Sequence, residues 1–194
     1  MQIFTDDTDY RRFVYFLGDT VEACSLECLN YCLMPNHYHV TLLPTGCNLS
    51  ESIRRLNSLY AQWWNRRHGR VGHVFQGRFK DQTVDRESYL LALSRYVVTN
   101  PVRAQLVRAP HEWPWSSYSA TVGSASCPAF LNLTPTLALF GEGDTSALQV
   151  RFRDYVHDSV DERITDRIRS NERVLGSRTF KLSLRPAVEE AATA

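Results

Sequence analysis

The chain has 194 residues, 43% of them hydrophobic, and a net charge of +1: enough to bury a sizeable core in one domain with an appendage, with a charge total that says nothing of partners. Its apolar runs fall short of a membrane span. Five cysteines, an odd number with no Cys-x-x-Cys pair, argue against a structural zinc site, and without a signal peptide they point to reduced thiols in the cytoplasm.

In chain order, Asp6 to Leu17 reads as a helix, with Tyr10, Phe13, Phe16 and Leu17 on one face and Gly18 as its stop. Ser25 to Leu33 reads as a strand with Leu26, Cys28 and Cys32 on one side, and Met34-Pro35-Asn36 as the following turn. His37 to Leu43 is the next strand, ended by Pro44 and Gly46. Ser50 is the expected N-cap, with Leu49 as staple, of a helix from Glu51 to His68 carrying Ile53, Leu56, Tyr60, Trp63 and Trp64. A glycine-rich loop leads to a strand over Phe79–Val84, and Asp85 caps a helix that reaches Asn100, where Pro101 restricts continuation. The order α-β-β-α-β-α predicts an α+β, ferredoxin-like or RRM-like sandwich with an antiparallel sheet over residues 1–122. From residue 123 to 194 a small-residue linker, a turn at Gly141–Asp144 and an amphipathic pattern over Ala147–Ser170 predict a small helical module.

Charge is unevenly spread. Between Glu51 and Arg108 there are eleven basic and four acidic residues, a balance of +7. A basic middle is the footprint expected for a polyanion. Arg54, Arg55, Arg66 and Arg67 could track a nucleic-acid stem, and Arg78 and Lys80 could clamp phosphates. Trp63, Trp64, Trp113 and Trp115 could stack unpaired bases, but adjacent Trp63 and Trp64 cannot face one way, and most are expected to be core.

The chemistry concentrates in two short runs. In Met34-Pro35-Asn36-His37-Tyr38-His39-Val40 the two imidazoles are two residues apart on a strand. They therefore share a face, about 6–7 Å apart at Cα, and suit one divalent ion. In Tyr96-Val97-Val98-Thr99-Asn100-Pro101 a tyrosine and an amide are four apart on one helical face. A histidine pair, a tyrosine and a nearby carbonyl oxygen together make a phosphodiester-cleaving set. Tyr60 and Tyr89 are rival tyrosines.

These residues, with Gln76-Gly77-Arg78-Phe79-Lys80, Asn100-Pro101-Val102-Arg103-Ala104 and Trp115-Ser116-Ser117-Tyr118, resemble the REP-associated tyrosine transposases, which are single-tyrosine HUH transposases. The resemblance runs from about Ile3 to Tyr118. It implies Mg²⁺ or Mn²⁺ held by His37, His39 and Asn100, with Tyr96 as nucleophile. It also implies a metal-dependent single-strand endonuclease and strand transferase acting on palindromic hairpin DNA, with a 5′-phosphotyrosine intermediate, and adds Arg103 to the DNA-binding residues. The expected partner is single-stranded or hairpin DNA, the expected setting the cytoplasmic nucleoid, the expected state a monomer or homodimer. The family normally carries a strand ahead of its first helix, beside the histidine strand. This chain starts too late to contain it, so ladder groups should be exposed there. The rival reading is a truncated or domesticated module that binds structured nucleic acid without cutting it.

Overall fold

The computed structural model describes residues 2–77, 79–158, 162–170 and 172–184. Helix α1 spans Asp7–Ala23, opened by the Asp6 carboxylate, which accepts from the N–H groups of Thr8 and Asp9. It passes through Gly18 instead of stopping there. A Cβ at Gly18 would lie 2.9 Å from the Phe130 ring, so this glycine permits close packing and does not end the helix.

Strands β1 (Leu26–Met34) and β2 (His37–Pro44) form an antiparallel hairpin whose register pairs Met34 with His37 and Cys32 with His39. A bulge between Cys28 and Asn30 changes the facing of β1. On one side of it Leu26 and Cys28 join Tyr31 and Leu33 in the main core; on the other Cys32 packs with Met34 and Val97. The single apolar face expected for Leu26, Cys28 and Cys32 is therefore split, because the extra residue reverses the two-residue alternation.

Helix α2 spans Leu49–His68. Its cap is Asn48, not Ser50: the Asn48 side chain accepts from Ser50 and Glu51 N–H. Helices α1 and α2 cover one face of the hairpin. There Phe4, Phe13 and Tyr60 pack ring against ring with centroids 5.1–5.5 Å apart, and Phe13 is fully buried.

The opposite face of the hairpin receives α3, Arg86–Arg103, capped by Asp85. It continues through Pro101. Proline holds a helical φ and here removes one backbone bond only a turn from the end. The expected strand before α3 shrinks to β3, Thr83–Val84, which pairs in parallel with β4, Val174–Leu175, and not with the histidine hairpin. The class is α+β, but the described residues hold two two-stranded sheets in place of one antiparallel sheet.

Beyond α3 the chain returns to β1. Leu33 N–H donates to Trp115 O, Ser117 N–H to Tyr31 O and Asn132 N–H to Cys28 O, which covers the free edge of β1. Among the described residues no strand pairs with the outer edge of β2. The remaining helices are α4 (Tyr118–Thr121), α5 (Thr134–Leu137), α6 (Thr145–His157), α7 (Glu162–Arg169) and α8 (Arg178–Ser183). The single amphipathic stretch expected over Ala147–Ser170 is thus two helices. A second core joins Val98 of α3 to Tyr118, Leu137, Phe152 and Val156. No helix among the described residues is long and apolar enough to cross a membrane.

Candidate metal and tyrosine site

Alternation along β2 sorts its side chains. Tyr38 points toward α2, where its hydroxyl donates to Asn57 Oδ1 at 2.7 Å. His37 and His39 point to the α3 side, and their Nε2 atoms approach to 3.1 Å. Two cis ligands of an octahedral ion at about 2.1 Å stand about 3.0 Å apart, so the pair fits a Mg²⁺-like or Mn²⁺-like ion. Asn36 Oδ1 lies 2.7 Å from His37 Nδ1. That contact holds the proton on Nδ1 and leaves the Nε2 lone pair for a ligand. Burial lowers the pKa of His37, and burial followed by the neighbouring His37 lowers His39 to about 4. Both rings are therefore neutral at pH 7, the form that binds a cation. Among the described residues no group of three or more His, Cys, Asp or Glu could complete the shell; amide, water or phosphate oxygen would fill it.

Tyr96 reaches this pair from α3. Its ring lies edge-on to His39 with centroids 5.9 Å apart, and the Arg103 guanidinium sits 5.0 Å from its centroid. Its hydroxyl makes no hydrogen bond among the described residues. The rival tyrosines are committed elsewhere. Tyr60 donates to Ile3 O at 2.5 Å, and burial pushes its phenol far up. Tyr89 is held by Arg167, which donates to its hydroxyl. Asn100 lies one turn past Tyr96, as expected, and its Nδ2 donates to Tyr96 O at 2.8 Å, leaving Oδ1 to accept or ligate. No hydrogen bond joins Asn100 to either histidine among the described residues.

The expected DNA contacts separate. Arg54, Arg66 and Lys80 are exposed. Arg55 is paired with Asp19 at 2.7 Å, and Arg67 bridges Asp6 and Asp9, so both guanidinium groups are engaged within the chain. Arg78 lies outside the described residues. Of the tryptophans, Trp64 is buried, Trp115 stacks on Tyr10 at 4.7 Å, and Trp113 Nε1–H donates to Leu33 O.

Composition and spacing pass over one buried polar chain. Thr41 Oγ1 donates to Asn30 Oδ1 at 2.7 Å, and Asn30 Nδ2 donates to Ser94 Oγ at 2.9 Å. Thr41 lies two residues past His39, and Ser94 two before Tyr96. Asn30 therefore ties the histidine strand to the tyrosine helix. The legible signal was an asparagine, a strand-poor residue, in the middle of a largely apolar strand. Asn30→Leu is expected to lower stability by about 2 kcal/mol, because Ser94 and Thr41 lose a buried partner. Adding Ser94→Ala should cost less than its effect alone, since the partner is already gone. Thermal unfolding of the two single variants and the double variant checks this; strict additivity would contradict it.

Comparisons with known proteins find a family and a relative. The family described as "Transposase IS200 like" matches residues 1–100. A protein of Haemophilus influenzae named "Putative REP-associated tyrosine transposase" is 25% identical over 147 residues, covering 70% of this chain and 84% of the relative. No solved structure matches the chain.

Proposed function

The chain belongs to the IS200-like transposase family, and on that premise we propose that it is a metal-dependent single-strand DNA endonuclease and strand transferase acting on palindromic hairpins. The observation that carries the reading is one cluster: two Nε2 atoms 3.1 Å apart, with a tyrosine hydroxyl on the adjoining helix that has no hydrogen bond among the described residues. His37, His39 and Asn100 would hold Mg²⁺ or Mn²⁺. When bound, such an ion withdraws charge from a scissile phosphate and steadies its oxygens. The Tyr96 hydroxyl gives up its proton to water and its oxygen attacks phosphorus, forming a phosphotyrosine bond. The bond from phosphorus to the 3′-oxygen of the preceding nucleotide breaks, and that oxygen takes up a proton. The downstream strand stays on Tyr96 through its 5′-phosphate. Attack by a 3′-hydroxyl reverses the step, so joining needs no ATP. Arg54, Arg66, Lys80, Arg103 and Arg78 would carry phosphate contacts. DNA as partner and a ferredoxin-like ancestry of the α+β core belong to the same reading, as do action at the nucleoid and a monomeric or dimeric state.

The test uses hairpin DNA labelled 3′ of the scissile position, with Mn²⁺, on a denaturing gel. A protease-sensitive label should migrate with the protein. It should vanish in EDTA and in His39→Ala, while hairpin binding persists. Adduct formation surviving in EDTA would remove the metal. Binding with no adduct under any condition would favour a module that recognises structured DNA without cutting it.

A further inference from the structure

The side of the hairpin that faces α3 is a ladder of three cross-strand rows: Asn30 with Thr41, Cys32 with His39, and Met34 with His37. Cys32 and Met34 meet α3 at Val97, with Leu93 and Tyr96 packed alongside. Those contacts are apolar and carry no direction, so by themselves they let a helix turn or slide on the strands. The first row is different. Asn30 is buried, and its amide spans from Thr41 Oγ1, at 2.7 Å, to Ser94 Oγ, at 2.9 Å. Ser94 is fully buried as well.

The place of Tyr96 on its helix gives this bond its consequence. An α-helix turns about 100° per residue. Ser94, Val97 and Val98 lie on the buried stripe of α3, whereas Tyr96 is half-buried and stands on the flank of that stripe. A small rotation about the helix axis would leave the apolar contacts nearly unchanged. It would swing the Tyr96 ring, whose edge meets His39 at 5.9 Å between centroids. A hydrogen bond has a preferred length and angle, and a buried polar contact inside an apolar interface is suited to setting register. The bond from Asn30 to Ser94 supplies that direction from the ladder row next to His39.

We propose that Asn30 and Ser94 are positioning residues for the cleavage step: their bond sets the placement of the Tyr96 ring against the His37–His39 pair. This rests on the strand-cleaving reading above and deepens it, because part of the rate then belongs to two buried side chains away from the reacting atoms. A misplacement of about 1 Å costs on the order of a hundredfold in rate when a nucleophile must be aligned.

The experiment compares the full chain with Ser94→Ala, Thr41→Val and the double variant. Val21→Ala is the control, since Val21 belongs to the core on the other side of the hairpin. All are studied at a temperature where melting curves show each protein folded. One readout is the nuclear Overhauser effect between the ring protons of Tyr96 and His39, in protein without DNA or metal. The other is the single-turnover rate of adduct formation at saturating hairpin DNA and Mn²⁺, beside the dissociation constant for the hairpin. Ser94→Ala is expected to weaken the Overhauser effect and to slow the adduct by about tenfold or more, with hairpin affinity unchanged. Thr41→Val should act in the same direction, since it frees the amide that Ser94 receives, and should add nothing to Ser94→Ala. Val21→Ala should leave both readouts as in the wild type. The proposal is overturned if Ser94→Ala keeps the wild-type rate, whatever its Overhauser effect. It is equally overturned if Val21→Ala slows the adduct as much, which would mark a general loss of stability. A wild type that forms no adduct sinks the cleavage reading, and the placement of Tyr96 by Ser94 then stands or falls on the Overhauser effect.

Discussion

Replacing Tyr96 with phenylalanine is expected to abolish the covalent protein–DNA adduct while leaving hairpin binding and thermal stability unchanged. The structure makes this a clean substitution. The ring keeps its edge contact with His39 and its place beneath Arg103. The hydroxyl that is lost has no hydrogen-bond partner among the described residues, so the change should stay within about 0.5 kcal/mol, as for substitutions that break no packing or hydrogen bond. The chemical effect is total, because phenylalanine has no oxygen to attack phosphorus. The readout is the labelled-strand gel together with a melting curve. Tyr89→Phe is the control, since Tyr89 is engaged by Arg167 on another part of α3. An adduct that persists in Tyr96→Phe and disappears in Tyr89→Phe would move the nucleophile and dismantle the site described above.

Asp9→Ala is expected to be the most damaging single change to the fold. This carboxylate is fully buried, and it accepts from Thr5 N–H and Thr5 Oγ1 at 2.8 and 2.6 Å, from Arg67, and from His68 Nε2 at 3.0 Å. It joins the start of α1 to the end of α2. Arg67 keeps Asp6 when Asp9 is lost, which spares it from full isolation. The expected loss is therefore about 3 kcal/mol, at the low end for a broken buried pair. In a chain of this size that lowers Tm by about 10 °C.

The same network sets an acid limit. Burial works to raise the pKa of Asp9, but hydrogen bonds from Thr5, His68 and Arg67 outweigh it, and the net shift is downward. The bond from Arg67, ahead of its charge, helps bring Asp6 to about 2. A carboxylate held below its unfolded value of about 3.9 stabilises the fold above that value, and the contribution disappears as pH falls through the folded one. Melting curves of the wild type should fall between about pH 4 and pH 2, and Asp9→Asn should fall less steeply over that window. Parallel pH profiles for the two proteins would exclude Asp9 from the acid transition.

Much of the candidate site was legible because it is written in local periods. Two-residue alternation places His37 and His39 together wherever β2 sits, and a four-residue step places Asn100 a turn beyond Tyr96. The long helices were legible for the same reason, from their apolar spacing. What stayed hidden depends on partners far along the chain. The bulge before Asn30 reverses the facing of Cys28 relative to Cys32, and nothing in β1 itself announces it. Arg55 and Arg67 look like free cations until α1 supplies Asp19, Asp6 and Asp9. Thr83–Val84 gives no hint that its neighbour is Val174–Leu175.

The β3–β4 pair bears on how gene copies decay. Thr83 N–H donates to Arg173 O, Asp85 N–H to Leu175 O, and Ser177 N–H to the Asp85 carboxylate that caps the tyrosine helix. Leu175 is fully buried against Tyr89. A stop codon between α7 and β4 would leave every histidine, tyrosine and asparagine of the site in the reading frame. The encoded protein would nonetheless lose the strand that anchors the first turn of the helix carrying Tyr96. Among degenerating copies of such a gene, an intact motif is then a poor sign of a working protein, and an intact β4 segment is the better one.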